Sequence, residues 1–261
     1  MASATDSPWA AGNWLAGQWV AGVDGCPGGW IAVLLDTSGR EAPRVEIRSA
    51  FADIVDLPEA PAIIGVDMPI GLPERLVGPG RACEIAVRKV LGSRQSSVFS
   101  IPARAAVMET EDYRKACAIA AERSEPSRKV SKQAFNLFPK IKEIDALLRI
   151  RSDLRVCVFE THPEVCFTHM NGGRHASLPK KVKSRPNPDG LEERRGLLIA
   201  AGFPVEFLDA GRTPPKPAAA DDFLDACATA WTARRILRGD AVCYPDPPPR
   251  DAFGLEMAIR A

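Results

Sequence analysis

The chain of 261 residues has 34 Lys and Arg residues against 33 Asp and Glu residues, a formal net charge of +1, and 46% of its residues are hydrophobic. This composition is typical of a globular protein and excludes a disordered, collagen-like or coiled-coil chain. Because the net charge is close to zero, any preference for a charged partner must come from a local cluster of charge.

The cysteines and the start of the chain indicate the cellular compartment. Seven cysteines are scattered along the sequence without a C-x-x-C pair, which argues against a disulfide framework or a zinc ribbon. The first 39 residues contain no Lys or Arg, unlike the positively charged start of a signal peptide. No apolar run approaches the roughly 18 residues that suggest a membrane span. We therefore expect a cytoplasmic protein with reduced thiols.

Short β-rich runs joined by Gly and Pro turns come first along the chain, after a leader at 1–18. These runs predict three consecutive antiparallel strands, at 19–24, 30–36 and 44–48. An amphipathic stretch at 51–57 and an apolar run at 62–67 predict a crossover helix and a strand parallel to the first. The first quarter of the sequence thus predicts a mixed sheet in an α/β fold.

Helical periodicity dominates the rest of the chain. The apolar spacing predicts five helices, at 81–91, 113–122, 132–150, 191–201 and 222–237. Pro139 is expected to kink the third of these. A further strand is predicted at 155–161, and the Pro-rich stretch at 245–261 is predicted to be a tail. We therefore expect one domain over 19–244, with a helical insertion around 80–150.

Acidic residues stand where three of the predicted strands end, at Asp24, Asp67 and Glu160. Asp222 and Asp225 are spaced i, i+3, so both project from one face of the last helix. Converging carboxylates repel one another unless a hard cation lies between them, which points to Mg²⁺ or Mn²⁺. Such clusters support hydrolysis at phosphorus with two metal ions. Each acid alone can also form a turn or cap a helix.

Five segments of the sequence together resemble a known family, in the same order along the chain. They are GVDGCPGGW (22–30), GVDMPIGLPE (65–74), RQSSVFSIPARAAV (94–107), FETHPEVCF (159–167) and DDFLDACATAW (221–231). The chain resembles the family of uncharacterised proteins described as predicted ribonuclease H-like nucleases. The match runs from about residue 20 to about residue 240.

The resemblance implies a ribonuclease H-like fold, with a five-stranded mixed sheet flanked by helices, and a nuclease that uses two divalent ions. Asp24 fits the acid of the first strand and Asp67 that of the fourth strand. The D-x-x-D-A pattern that begins at Asp222 and includes Asp225 looks like the helix signature of Holliday-junction resolvases. Glu160, on the fifth strand, departs from the simplest nuclease pattern.

The segment that follows Glu160 contains histidine, glutamate and cysteine residues, all of which can bind metal ions. His162 and Glu164 alternate with Glu160, so the three are expected to share one face of an extended segment, where His162 could relay a proton. His162 can equally be a hydrogen-bonded or merely exposed histidine before Pro163. A rival zinc site would use residues whose spacing matches no zinc pattern, namely Cys157, His162, Cys166, His169 and His175.

The near-zero net charge hides a local surplus of basic residues. Between 123 and 185 there are fourteen basic and six acidic residues. Lys180 and Lys181 follow a Gly-containing loop, and Arg94 lies in a polar loop within a matched segment, so we expect these three to bind a substrate phosphate backbone. They can also be solvated surface cations. If the partner is nucleic acid, DNA or RNA, its backbone rather than its base sequence is expected to be recognised.

Two other functions remain open from the sequence. GVDGCPGGW also resembles the first phosphate hairpin of sugar kinases and actin-like phosphotransferases. That fold needs two such domains, and no second copy of the hairpin occurs here. The other alternative is a non-catalytic module that keeps the fold and binds nucleic acid or another ligand.

Overall fold

A computed structural model describes residues 18–183 and 185–261, so all but the last residue of the leader at 1–18 lies outside the described residues. The strands, in chain order, are β1 (Trp19–Cys26), β2 (Gly29–Asp36), β3 (Arg44–Arg48), β4 (Ile63–Val66), β5 (Leu76–Val77), β6 (Ser124–Glu125), β7 (Val158–Glu160), β8 (Lys181–Val182), β9 (Arg185–Pro186), β10 (Cys243–Tyr244) and β11 (Ile259–Arg260).

Five of these strands form the central sheet, in the order β3-β2-β1-β4-β7. β1 pairs antiparallel with β2, and β2 pairs antiparallel with β3. β4 is parallel to β1, and β7 is parallel to β4. The mixed five-stranded sheet, with an antiparallel meander followed by parallel additions, is therefore confirmed.

The helices are α1 (Phe51–Val55), α2 (Ala82–Leu91), α3 (Arg104–Met108), α4 (Tyr113–Glu122), α5 (Lys132–Asn136), α6 (Phe138–Ile150), α7 (Pro163–Met170), α8 (Pro188–Ala200), α9 (Val205–Ala210) and α10 (Ala220–Arg238). The kinked helix expected at 132–150 is two helices, which meet at Leu137. Pro139 lies in the first turn of α6, where its missing N–H has no intrahelical partner to lose.

The two faces of the sheet pack into two separate apolar cores. Because side chains alternate along a strand, Ala21 and Val23 of β1 enter one core, together with helices from the 104–150 region. Val20 enters the other core, which α7, α8 and α10 cover. The same alternation puts Asp24 on the Val20 side of β1, the face that α10 covers.

Two glycines allow α10 to lie directly on the sheet. A methyl group built at Gly22 of β1 would come within 1.9 Å of the backbone nitrogen of Ala230, and one at Gly65 of β4 within 2.8 Å of the Thr229 carbonyl oxygen. No side chain fits at such distances. The close approach brings the N-terminal half of α10 to the strand ends that carry Asp24 and Asp67.

The segment at 245–261, expected to be a tail, packs against the domain. β11 pairs with β10, and Thr161 bridges to Arg260 beside the central sheet. Leu255 and Ile259 are each only 2% exposed. Within 18–183 and 185–261, we find no helix with the length and apolar character that crossing a bilayer requires.

Candidate metal centre

Three aspartates converge where β1, β4 and α10 meet. Asp24 lies near the C-terminal end of β1, Asp67 directly follows β4, and Asp225 lies in the second turn of α10. Each offers a carboxylate oxygen, and these oxygens all lie within 4.8 Å of one another. The backbone N–H of Gly25 donates a 2.7 Å hydrogen bond to Asp24 Oδ1. We call Asp24, Asp67 and Asp225 the acidic triad.

Burial and mutual repulsion disfavour the ionised form of the three carboxylates of the acidic triad. Burial raises the pKa of Asp24 well above its usual range, and the charges of Asp67 and Asp225 raise it further. Burial also raises the pKa of Asp67 and that of Asp225 to about 7, even though the nearby Lys180 ammonium lowers both. When ionised, the acidic triad therefore carries excess negative charge that an additional cation would neutralise.

Lys180 supplies one positive charge to the triad. Its ammonium group donates to the carboxylate of Asp225. Burial alone would lower the pKa of Lys180, but the charges of Asp225, Asp24 and Asp67 outweigh it and the pKa is raised. The side chain expected to contact substrate phosphate is thus a counter-ion of the acidic triad.

One oxygen of the triad has no partner. Asp225 Oδ1 is buried and accepts no hydrogen bond from any residue in the described ranges. A buried carboxylate oxygen without a donor is costly, because it has lost water and gained nothing in exchange. The set of three carboxylates suits a hard divalent cation such as Mg²⁺ or Mn²⁺, which prefers oxygen ligands.

Glu160, expected to be a fourth metal ligand, forms an ion pair with Arg81. It pairs with Val66 in the sheet register, and Val66 faces the core opposite α10. Arg81 binds both of its carboxylate oxygens, at 2.6 and 3.0 Å, and the Ile70 N–H donates at 2.7 Å. Side-chain alternation puts Glu160 and Asp67 on opposite faces of the sheet, but at the strand ends both line one cleft, and the charge of Glu160 helps to raise the pKa of Asp67. Because Arg81 already binds both carboxylate oxygens of Glu160, these oxygens are not free to bind a metal ion.

Asp222, the other expected ligand on α10, turns back to cap its own helix. Its Oδ2 accepts a 2.9 Å hydrogen bond from the Ala219 N–H. Its charge still contributes to the raised pKa of Asp24. The neighbouring Asp221 lies 2.5 Å from the ammonium of Lys181, so Lys181, expected to bind phosphate, is paired as well. The helix-cap alternative accounts for Asp222.

Comparison with known proteins gives one match. The family described as "Protein of unknown function (DUF429)" matches residues 22–250. The chain belongs to this family. No curated protein and no solved structure matches the chain. All three members of the acidic triad lie inside the part of the chain that the DUF429 family covers.

The DUF429 domain places His162 at the wall of a cleft beside the triad. The cleft has a volume of about 190 Å³, and Asp24, Asp67 and His162 are among its lining residues. Burial lowers the pKa of His162, so its ring is neutral at pH 7. Its Nε2 lies 3.4 Å from the Ser97 carbonyl oxygen, and its buried Nδ1 has no hydrogen-bond partner among the described residues.

Glu164, expected to share a face with Glu160 and His162, lies instead in α7, where Arg194 binds it at 2.6 Å. The alternative zinc ligands also separate. His169 Nε2 contacts the Tyr244 hydroxyl and His175 Nε2 the Ser93 hydroxyl. Within the described ranges, the acidic triad is the one group of three or more such side chains that could share a metal ion.

Arg94, expected to bind substrate, instead anchors the segment that carries Lys180. Its Nε donates to the Ala176 carbonyl at 3.0 Å, and its Nη2 donates to the Ser177 carbonyl at 2.5 Å. Two further basic residues line the cleft: Lys140, which belongs to the basic surplus at 123–185, and Arg81, which the sequence did not indicate. Lys140 lies over the Trp30 ring, 4.2 Å from its centre, and donates to the Gly29 carbonyl. Nothing in the local sequence around either residue signals this placement.

Proposed function

We propose that the protein is a divalent-metal-dependent phosphodiester hydrolase that acts on nucleic acid, with Asp24, Asp67 and Asp225 holding Mg²⁺ or Mn²⁺. The observation that carries this proposal is the convergence of three carboxylate oxygens within 4.8 Å of one another. In addition, Asp225 Oδ1 is buried and has no hydrogen-bond partner in the described part of the chain. When bound, the ion supplies positive charge that stabilises the negative charge developing on the phosphate oxygens.

The charge balance favours a single ion in place of the two expected from the sequence. The three carboxylates carry three negative charges when ionised, and Lys180 already supplies one positive charge. One divalent ion would make the site neutral. Since Arg81 holds Glu160 and the helix terminus holds Asp222, these acids are not free to complete a second ligand set. In this proposal Lys180 stands in the role of the second cation.

His162 is the candidate proton acceptor. The neutral imidazole lines the same cleft as Asp24 and Asp67. With Nε2 donating to the Ser97 carbonyl, Nδ1 keeps a free lone pair but is buried, so the ring must turn towards the cleft before this nitrogen can take the proton of an attacking water. A neutral ring in this position suits general-base chemistry near pH 7.

The sheet order also supports the ribonuclease H-like assignment that the sequence resemblance implies. An antiparallel meander, followed by parallel strands added next to β1, puts acids of the first and fourth strands side by side. We likewise propose a cytoplasmic location, because all seven cysteines are free thiols. Fold alone does not fix activity, so the acidic triad carries the functional argument.

A nuclease assay tests the proposal directly. Wild type and Asp24→Asn are incubated with single-stranded DNA, RNA, hybrid duplexes and branched junctions, with Mg²⁺, with Mn²⁺ or with EDTA. We expect cleavage by wild type that requires metal and that Asp24→Asn lowers at least about 100-fold. Asp53→Asn, an exposed residue of α1, is the control and should retain activity.

Other outcomes separate the alternatives. Undiminished cleavage by Asp24→Asn would contradict the proposed site. Thermal stabilisation by metal without cleavage of any substrate would favour a binding module. Stabilisation by ATP without cleavage would instead support a sugar-kinase or actin-like phosphotransferase.

A further inference from the structure

A second, larger groove lies next to the cleft of the acidic triad. It has a volume of about 410 Å³, and Phe99, Arg128 and Lys129 are among its lining residues. Val98 and Phe99 line both this groove and the metal cleft. The two cavities are therefore neighbours across one short segment of chain. We call the larger one the basic groove.

The charge of the basic groove is opposite to that of the triad. No Asp or Glu is among its lining residues in the described part of the chain. Arg128 and Lys129 are exposed, and neither side chain forms an ion pair within the described residues. Lys132, three residues after Lys129, lies 4.6 Å from the Tyr113 ring centre, also without a carboxylate partner among those residues. Most other basic side chains near the triad are already paired, as Lys180 and Lys181 are.

The backbone that presents these cations is fixed by hydrogen bonds. Ser124 Oγ accepts a 2.8 Å hydrogen bond from the Arg128 N–H. The Tyr113 hydroxyl donates to the Val130 carbonyl at 2.9 Å. β6, just before this turn, pairs with β5. The two cations thus extend from a rigid support, and their side chains remain free to reach a ligand.

Phe99 adds an aromatic surface at the junction of the two cavities. It is 37% exposed and lines both cavities, so its ring is accessible from each of them. Bases of nucleic acids stack on exposed aromatic rings, and only an unpaired base has a free face for this contact. Sites that bind single strands combine cations, which contact the phosphates, with aromatic rings, which stack on the bases.

We propose that the basic groove binds a single-stranded nucleic acid whose backbone continues into the metal cleft, with Arg128 and Lys129 contacting phosphates and Phe99 stacking on a base. The inference extends the proposed function, on which it rests for the chemistry at the triad, and it assigns single strands as the substrate class. Binding in the groove itself requires no metal, so it can be measured separately from cleavage.

The test measures binding of the full chain to a fluorescent single strand of about 12 nucleotides, by anisotropy in EDTA over a range of salt concentrations. We expect Arg128→Ala/Lys129→Ala to weaken binding about tenfold and to lower the slope of log affinity against log salt by about 1.4, twice the value of one phosphate contact on a single strand. Arg40→Ala/Arg238→Ala removes two exposed cations from other parts of the surface and is the matched control.

Phe99 is tested with the same strand and with the duplex of the same sequence. We expect Phe99→Ala to weaken single-strand binding about fivefold or more, Phe99→Tyr to restore it, and neither variant to change duplex binding. Two results would overturn the inference. One is the same slope of log affinity against log salt in Arg128→Ala/Lys129→Ala and in wild type. The other is an equal loss of affinity for the single strand and for the duplex in Phe99→Ala.

The two proposals fail separately. Metal-dependent cleavage in the absence of any groove effect would overturn the basic groove alone. A groove effect in a protein that neither binds metal nor cleaves would overturn the proposed function and leave the groove as a binding site.

Discussion

The ammonium of Lys180 pairs with the carboxylate of Asp225, and its positive charge also offsets the negative charges of Asp24 and Asp67. The buried Asp24 and Asp225 and the half-buried Asp67 are thus held together by one lysine from a distant segment of the chain. A cation in this position compensates part of the repulsion that the fold creates by bringing the acids together.

Lys180→Gln should therefore destabilise the metal-free protein, by roughly 1–3 kcal/mol. Because the remaining carboxylates then depend on added metal for neutralisation, the rise in Tm on adding Mn²⁺ should be larger in this variant than in wild type. Lys181→Gln is the control, since Lys181 is 45% exposed and pairs with Asp221 outside the triad. Equal metal-induced shifts in Lys180→Gln and wild type would contradict this role for Lys180.

The stability of the metal-free protein should depend on pH in a way set by the triad. The pKa of Asp67 and that of Asp225 rise from 3.8 to about 7 on folding, so the folded state holds these protons more tightly than the unfolded state. The stability linked to them is present below about pH 4 and is lost as the pH rises towards 7. Asp67→Asn should reduce this loss and stabilise the protein at pH 7 in EDTA, by roughly 1–2 kcal/mol.

Chemical unfolding at several pH values in EDTA provides the measurement. Asp36 is the internal comparison, because hydrogen bonds from Ser38 lower its pKa to about 2. Its contribution has the opposite sign: it is present above about pH 4 and is lost as the pH falls towards 2. We expect the free energy of unfolding of wild type to fall relative to that of Asp67→Asn between pH 4 and pH 7. The same change with pH in both proteins would contradict the prediction.

Gly22 should tolerate no side chain. A methyl group there would fall 1.9 Å from the Ala230 nitrogen, so Gly22→Ala must push α10 away from β1. We expect a loss of roughly 4 kcal/mol or more and weaker metal binding, because Asp225 moves with the helix. Gly196→Ala is the matched control: a methyl group at Gly196 of α8 meets nothing within 4 Å, and alanine should stabilise the helix by about 0.5–1 kcal/mol. Thermal unfolding and a Mn²⁺ titration compare the two variants.

Substitution of Glu160 should lower the stability of the fold without changing the affinity for metal. Glu160→Gln leaves Arg81 buried without its full counter-charge, which we expect to cost roughly 2–4 kcal/mol. The affinity for Mn²⁺ should stay within about threefold of wild type, since Arg81 already binds both carboxylate oxygens of Glu160. A loss of metal affinity as large as that of Asp67→Asn would restore Glu160 to the ligand set.

The sequence was sufficient for the sheet and for two members of the triad. Asp24 and Asp67 end apolar strands, and strands added in parallel bring such ends together. Asp225 was among the candidates, but the i, i+3 spacing does not separate it from Asp222. The first residues of a helix offer free N–H groups, and the one at Ala219 binds the Asp222 carboxylate.

Two features needed the three-dimensional structure. The alternation that places Glu160 opposite Asp67 depends on the sheet register, in which Val66 pairs with Glu160. With that register known, side-chain parity places Glu160 on the other face of the sheet from Asp67, although both line the cleft at the strand ends. Lys180 lies 45 residues from Asp225 along the chain in a segment without a regular pattern, so no local signal predicts their pairing. The same holds for Arg81 and Glu160, which are 79 residues apart.

The claim that Asp24, Asp67 and Asp225 form a metal centre is tested most directly by calorimetric titration with Mn²⁺. Wild type should bind one ion per chain, Asp225→Asn should bind it at least about tenfold more weakly, and Asp222→Asn should stay within about threefold of wild type. Wild-type affinity in Asp225→Asn, or a greater loss in Asp222→Asn than in Asp225→Asn, would contradict the assignment.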